Sequence, residues 1–222
     1  MAQIIPALIT SDEDSTNDFK ELKEKFEKLE PFLGEFNNWA QIDITDGKFV
    51  PTKTAIDLED LRYFTKRANV EFHLMIEKPE EVIGEWIRLG PKRVIVHVEA
   101  IIDMNKLIAV CRENDIEIGL ALNPETPNVI IEPWINAVDL ILFLGVYPGK
   151  GGQEFIPEVL DKIKSLRQNF PNVKIGIDGG VRKENIWQLK EAGVDLFVVG
   201  SGILKSPDIN KTIKELKNKI SR

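Results

Sequence analysis

Two carboxylates and an imidazole occupy matching places in this sequence. Asp43 lies in "AQIDITDGKFVP", His73 in "VEFHLMI" and Asp178 in "KIGIDGG", each near the C-terminal end of a short apolar run. Residues two apart on a strand share a face, so Gln41, Asp43 and Thr45 point one way. An Asp–His–Asp group brought together could bind a divalent metal such as zinc, or could exchange protons with a substrate. Asp46, directly before Gly47, reads instead as a turn residue. Asp43 and Asp178 sit one strand step inside their turns, where an inward carboxylate needs a partner. His97, in "VIVHVEA", is expected to be a hydrogen-bonded buried histidine rather than a ligand, and Met75 to wall the pocket.

A second group of residues suits anion binding. Glycine-rich turns close the last three apolar runs: "YPGKGGQEF", "IDGGV" and "VGSGI". Glycine lets backbone N–H groups approach a ligand closely, and consecutive N–H groups can form a nest for an anion. Gly151, Gly152, Gly179, Gly180, Gly200 and Ser201 are therefore the candidate phosphate site. Gly149 and Lys150 fall on a loop that could cover it, although a solvated side chain is the simpler reading of Lys150.

The elements that must position these groups follow from hydrophobic spacing. Eight apolar runs rich in Ile, Val and Leu recur along the 222 residues, from "IIPALI" to "LFVVGSG". Between them, segments such as "FKELKEKFEKLEPFL", "PEEVIGEWIRLG" and "IPEVLDKIKSLRQNF" repeat apolar residues three or four apart, as helices do. "PETPNVIIEPWINAV" is less regular and long enough for one short helix. Pro79 suits a helix start, while Gly90 and Gly193 suit helix ends. Eight strand–helix units in this length predict an α/β fold, a (β/α)8 barrel forming one domain over residues 1–222, for which ~250 residues is typical. An open doubly wound sheet is the alternative, but the first strand lacks a Gly-x-Gly-x-x-Gly turn. In a barrel the strand C-termini carry the chemistry, which is where Asp43, His73 and Asp178 lie.

Composition narrows the function classes. A net charge of -7 without a basic stripe disfavours nucleic-acid binding. No segment is long and apolar enough for a membrane span, and the N-terminus lacks the pattern of a signal peptide, so a cytoplasmic protein is expected. The single cysteine, Cys111, falls in a helical pattern and reads as buried packing, as do the four tryptophans.

Taken in order, "QIDITDGKFVP", "FHLMIEKPEEVI", "VIVHVEA", "GLALNPETP", "YPGKGGQEFIPEVLDKI", "IDGGV" and "VGSGI" resemble the ribulose-phosphate 3-epimerase family over nearly the whole chain. The resemblance implies a barrel that holds a divalent metal, usually zinc or iron, through two histidines and two aspartates. It also implies that the aspartates act as acid and base on either face of an enediolate, inverting C3 to exchange ribulose 5-phosphate and xylulose 5-phosphate. Asp43, His73 and Asp178 match three of the ligands, Met75 matches a pocket methionine, and the six glycine-turn residues match the phosphate site. A homo-oligomer is implied as well.

Three departures bear on this expectation. Gln41 stands where the resemblance places a metal-binding histidine, Ala7 where it places a serine, and Thr45 where it places a second methionine; Tyr147 and Lys150 also differ. A glutamine amide is a harder and weaker ligand than imidazole, so magnesium or manganese joins zinc and iron as a candidate ion. Another ketose phosphate, or a sugar-phosphate-binding barrel without catalysis, is the rival reading. The Asp-x-Lys-x-x-Asp pattern of decarboxylase relatives is missing, since Thr45 follows Asp43 by two.

Overall fold

In a computed structural model all eight apolar runs form parallel strands that close into a barrel in chain order, with β8 returning to pair with β1. The structure describes residues 2–10, 18–149 and 152–221. The strands are β1 (Gln3–Leu8), β2 (Trp39–Thr45), β3 (Asn69–Met75) and β4 (Arg93–His97). They continue with β5 (Glu117–Leu122), β6 (Leu140–Leu144), β7 (Ile175–Asp178) and β8 (Leu196–Val199). The helices are α1 (Asp18–Leu29), α2 (Arg62–Thr65), α3 (Pro79–Ile87) and α4 (Met104–Glu113). After β6 come α5 (Val159–Asn169), α6 (Ile186–Glu191), α7 (Ser201–Leu204) and α8 (Ile209–Ile220). Strands covered on both faces need apolar residues at nearly every position, which explains the continuous runs.

Sequence punctuation acts where expected. Pro79 opens α3, and Gly90 and Gly193 follow helix ends with φ of 79° and 106°. Between β5 and β6 the expected helix is replaced by two 3-10 turns, Asn128–Ile130 and Glu132–Trp134. Pro133 has no N–H to give to a preceding carbonyl, so a continuous α-helix cannot pass through it. Lys162 of α5 reaches this side, donating to the carbonyl oxygens of Asn123 and Pro124 at 2.9 and 2.7 Å.

Two apolar regions result. The larger lies between strands and helices and includes Phe26, Phe64, Phe72, Phe143 and Phe197. The smaller fills the barrel interior with Ile5, Ile95, Leu140, Leu142, Leu196 and Val198. Cys111 belongs to the larger, and burial pushes its thiol up to about 11, which makes it an inert packing residue. Trp86 is also core, whereas Trp187 is 39% exposed with Lys190 over its ring, against the expectation that all four tryptophans are core.

At the N-terminal end of the barrel an ionic layer closes the interior. Arg93 is buried, donates from Nη1 to the buried Glu71 at 2.5 Å, and pairs with Glu117 through Nε at 2.8 Å. Its guanidinium stacks 4.6 Å from the centre of the Trp39 ring. Removing the guanidinium would strand the Glu71 charge out of reach of water. Arg93→Met is expected to lower stability by about 3–5 kcal/mol, read as a shift in urea midpoint. A loss below about 1 kcal/mol would show that Glu71 does not depend on Arg93.

Candidate active site

β2 and β3 pair with Asp43 opposite His73, which fixes these two side chains side by side in the barrel mouth. On the far side β7 ends at Asp178, in register with Leu144 of β6 and Val198 of β8. The three converge: one donor atom from each of Asp43, His73 and Asp178 lies within 4.8 Å of the others. His73 Nδ1 stands 3.3 Å from Asp43 Oδ1 and 3.4 Å from Asp178 Oδ2.

Gln41 completes the floor one strand step below. Its Nε2 donates to Asp43 Oδ1 and to Asp178 Oδ2, both at 2.7 Å. Reversing the amide would set a carbonyl oxygen against two carboxylates, so the two hydrogens must face them. The opposite end of the amide, Oε1, is buried without a hydrogen-bond partner, an arrangement that costs about 1–3 kcal/mol.

Behind His73 a proton chain runs outward. His73 Nε2 lies 2.9 Å from His97 Nε2, His97 Nδ1 lies 3.3 Å from Glu99 Oε2, and the Asn123 backbone N–H donates to Glu99 Oε1 at 2.8 Å. Only one hydrogen fits between the two imidazoles. Burial opposes charge on His73, but the Asp178 and Asp43 carboxylates outweigh it and raise the pKa to about 10. Burial lowers that of His97 to about 4, with the neighbouring His73 charge adding to the effect against Glu99. The two directions agree on one assignment: His73 is cationic and donates to a neutral His97, which donates from Nδ1 to Glu99. Burial and the Asp178 charge raise the pKa of Asp43, against the hydrogen bonds from His73 and Gln41.

The donor set fits a divalent cation. Two carboxylates and an imidazole nitrogen meet on the floor of a cavity of about 410 Å³. As oriented, Gln41 presents hydrogens to that position rather than a lone pair.

Met75, Gly152, Gly179, Gly180, Gly200 and Ser201 all line the same cavity, while Gly151 and Lys150 lie outside the described residues. Gly179 and Gly180 have φ of 91° and 68°, and a Cβ on Gly180 would stand 2.7 Å from the Phe155 backbone. No other residue fits that turn without displacing the β6–α5 loop. Asp46 is a turn residue as read. Its Oδ1 accepts from the Lys48 and Phe49 N–H groups at 2.8 and 2.9 Å, and its Oδ2 from that of Glu77 at 2.9 Å.

Several cavity residues escaped the sequence reading. Thr54 meets Thr45, hydroxyl to hydroxyl at 3.1 Å, and Lys53, Arg182 and Lys205 stand around the mouth. Arg182 follows "IDGGV" directly and could have been flagged. Lys205 could not, because its approach to the Gly152 turn depends on how α7 leaves β8.

Fold and site together define a (β/α)8 barrel whose reactive groups cluster at the C-terminal strand ends, the arrangement of barrel enzymes. The chain matches the ribulose-phosphate 3-epimerase family over residues 15–204 and belongs to it. It is 32% identical to the ribulose-phosphate 3-epimerase of Escherichia coli K12, over 82% of this chain and 84% of that protein. With the Bacillus subtilis protein of the same name it shares 37% identity over 79% and 84%. Among solved structures, a tryptophan synthase α-subunit from Pyrococcus furiosus superposes with a TM-score of 0.68 at 15% identity, covering 99% of this chain and 98% of that one. A 3-hexulose-6-phosphate synthase gives 0.65 at 16%, covering 97% and 100%. These two likenesses establish the barrel alone. Among the described residues no helix is long and apolar enough to cross a membrane.

The histidine assignment makes a pH prediction for chelator-treated protein. His73, raised from 6.5, stabilises the fold fully below that value and loses the contribution as pH climbs towards 10. His97, lowered from 6.5, contributes above that value and loses it as pH falls towards 4. Imidazole nitrogen NMR at pH 8 is expected to show one charged and one neutral ring, and two neutral rings would refute the assignment.

Proposed function

We propose that the chain interconverts ribulose 5-phosphate and xylulose 5-phosphate by inverting C3. The observation that carries this reading is the pair of carboxylates, Asp43 and Asp178, each 2.7 Å from one shared amide nitrogen on the cavity floor. One ionised carboxylate removes the C3 proton, and the other, protonated, returns one to the opposite face of the enediolate. The two aspartates thereby exchange protonation states, which suits a reversible reaction run in both directions. Without a cation His73, in contact with both, carries a positive charge that holds the ionised partner, and it would give up its Nδ1 proton to serve as a ligand.

A divalent cation at Asp43, His73 and Asp178, drawn from zinc, iron, manganese and magnesium, would supply Lewis-acid stabilisation to the developing enediolate oxygens. The substrate phosphate is placed against the N–H groups of the Gly179–Gly180 and Gly200–Ser201 turns, with Gly152 opposite. Gly151 belongs to the same proposal on its sequence position. Met75 and Ala7 line the same cavity.

One observation favours a second substrate. Thr45 and Thr54 put two hydroxyl groups on the cavity wall, which suits a ketose phosphate with a different hydroxyl pattern. The intact carboxylate pair argues against a merely binding role.

In a coupled assay with ribulose 5-phosphate, Asp178→Asn is expected to lose turnover by about 10²–10⁴-fold while retaining affinity for the phosphate ester. Retained epimerisation would remove Asp178 from the chemistry. Turnover of another ketose phosphate, with none of ribulose 5-phosphate, would favour the second substrate.

A further inference from the structure

The amide of Gln41 has two ends in very different surroundings. Nε2 spends both hydrogens on Asp43 and Asp178, whereas Oε1 is buried and unpartnered. Neither end touches bulk water, because the residue is fully buried. The amide orientation is therefore decided by the charge above it. Two carboxylates without a cation demand a donor. A cation among the same carboxylates repels the NH2 group and attracts an oxygen, and a half-turn of the terminal torsion exchanges the two ends without moving the backbone.

We propose that Gln41 is a two-way residue of this centre: its NH2 group holds Asp43 and Asp178 together in the ion-free site, and its Oε1 becomes an oxygen ligand when a divalent cation enters. The inference rests on the cation-assisted reading of the site given above. Reversal buries the two NH2 hydrogens where Oε1 now lies, so the bond from Oε1 to the cation must outweigh that loss. The consequence is selectivity. With three oxygen donors, from Asp43, Asp178 and Gln41, and one nitrogen, from His73, the centre favours a hard ion such as manganese over zinc relative to a site with a second imidazole.

The test is calorimetric titration of chelator-stripped, full-length protein with manganese and with zinc, beside Gln41→Leu, Gln41→His and Gln41→Glu. Gln41→Leu is expected to bind manganese about 10–100-fold more weakly, and its ion-free form to melt below the wild type because the carboxylates lose their shared donor. Gln41→His is expected to shift the preference towards zinc. Gln41→Glu keeps an oxygen but loses the amide hydrogens, so manganese binding tightens while the ion-free melting temperature falls. It also reads out the inference if Gln41→Leu fails to fold. Equal manganese affinity in wild type and Gln41→Leu, or tightening absent from Gln41→Glu, overturns the ligand role alone. A wild type that binds neither ion overturns both this inference and the cation in the proposed mechanism.

Discussion

Two carboxylates facing each other on the floor of the barrel mouth are the constraint around which this barrel is arranged. Asp43 and Asp178 lie on strands far apart in sequence and meet because the barrel closes. Their repulsion is strong in a low-dielectric interior and would push one of them to protonate or turn away. The Gln41 amide and the His73 imidazole are both placed to counter it. His73 can remain charged because His97 accepts its second hydrogen, and His97 is held neutral by burial and oriented by Glu99. A chain of four side chains thus reaches from the reactive floor to the β5 loop.

The same separation of charge organises the barrel along its axis. Ionic groups occupy the N-terminal end, where Arg93 joins Glu71 and Glu117, and the C-terminal end, where the Asp–His–Asp cluster sits. Between them Ile5, Ile95, Leu140, Leu142 and Leu196 form a dry plug. The plug keeps water from entering below the cluster, and so keeps its electrostatics strong. Gly119 belongs to this packing, since a Cβ there would lie 2.9 Å from Ile95.

The eight strands, the barrel and the floor residues were legible in the sequence because inward positions alternate along each strand and only polar ones stand out against Ile, Val and Leu. The glycine turns were legible for a similar reason, and Gly152, Gly179 and Gly180 have positive φ values that other residues rarely adopt. What local patterning could not reveal was partnership across strands. The Gln41 bridge joins residues 137 apart in the chain, and the Thr45–Thr54 contact depends on the path of the loop around Asp46. The segment between β5 and β6 misled because its length suits a short helix, whereas Pro133 keeps one from running through it and two 3-10 turns form instead. Trp187 misled because a large ring can lie flat on a surface under a lysine.

Three of the departures from the resemblance are contiguous, whereas Tyr147 lies on the loop after β6. Ala7 and Gln41 are register partners on β1 and β2, and Thr45 lies on the same face of β2 as Gln41 and Asp43. The glycine turns proposed to anchor the phosphate follow β6, β7 and β8, and the last of them borders this wall, since β8 pairs with β1 and a Cβ on Gly200 would lie 3.5 Å from the Ala7 carbonyl oxygen. In the proposed reaction acid–base chemistry needs the carboxylates and phosphate anchoring needs the glycine turns, so neither set can change freely. The β1–β2 wall can vary with neither lost, provided that each substitution still manages the charge of Asp43 and Asp178. Without a cation Gln41 meets that condition through its two hydrogen bonds, which is why a side chain so unlike imidazole can occupy this position while the carboxylate pair remains assembled.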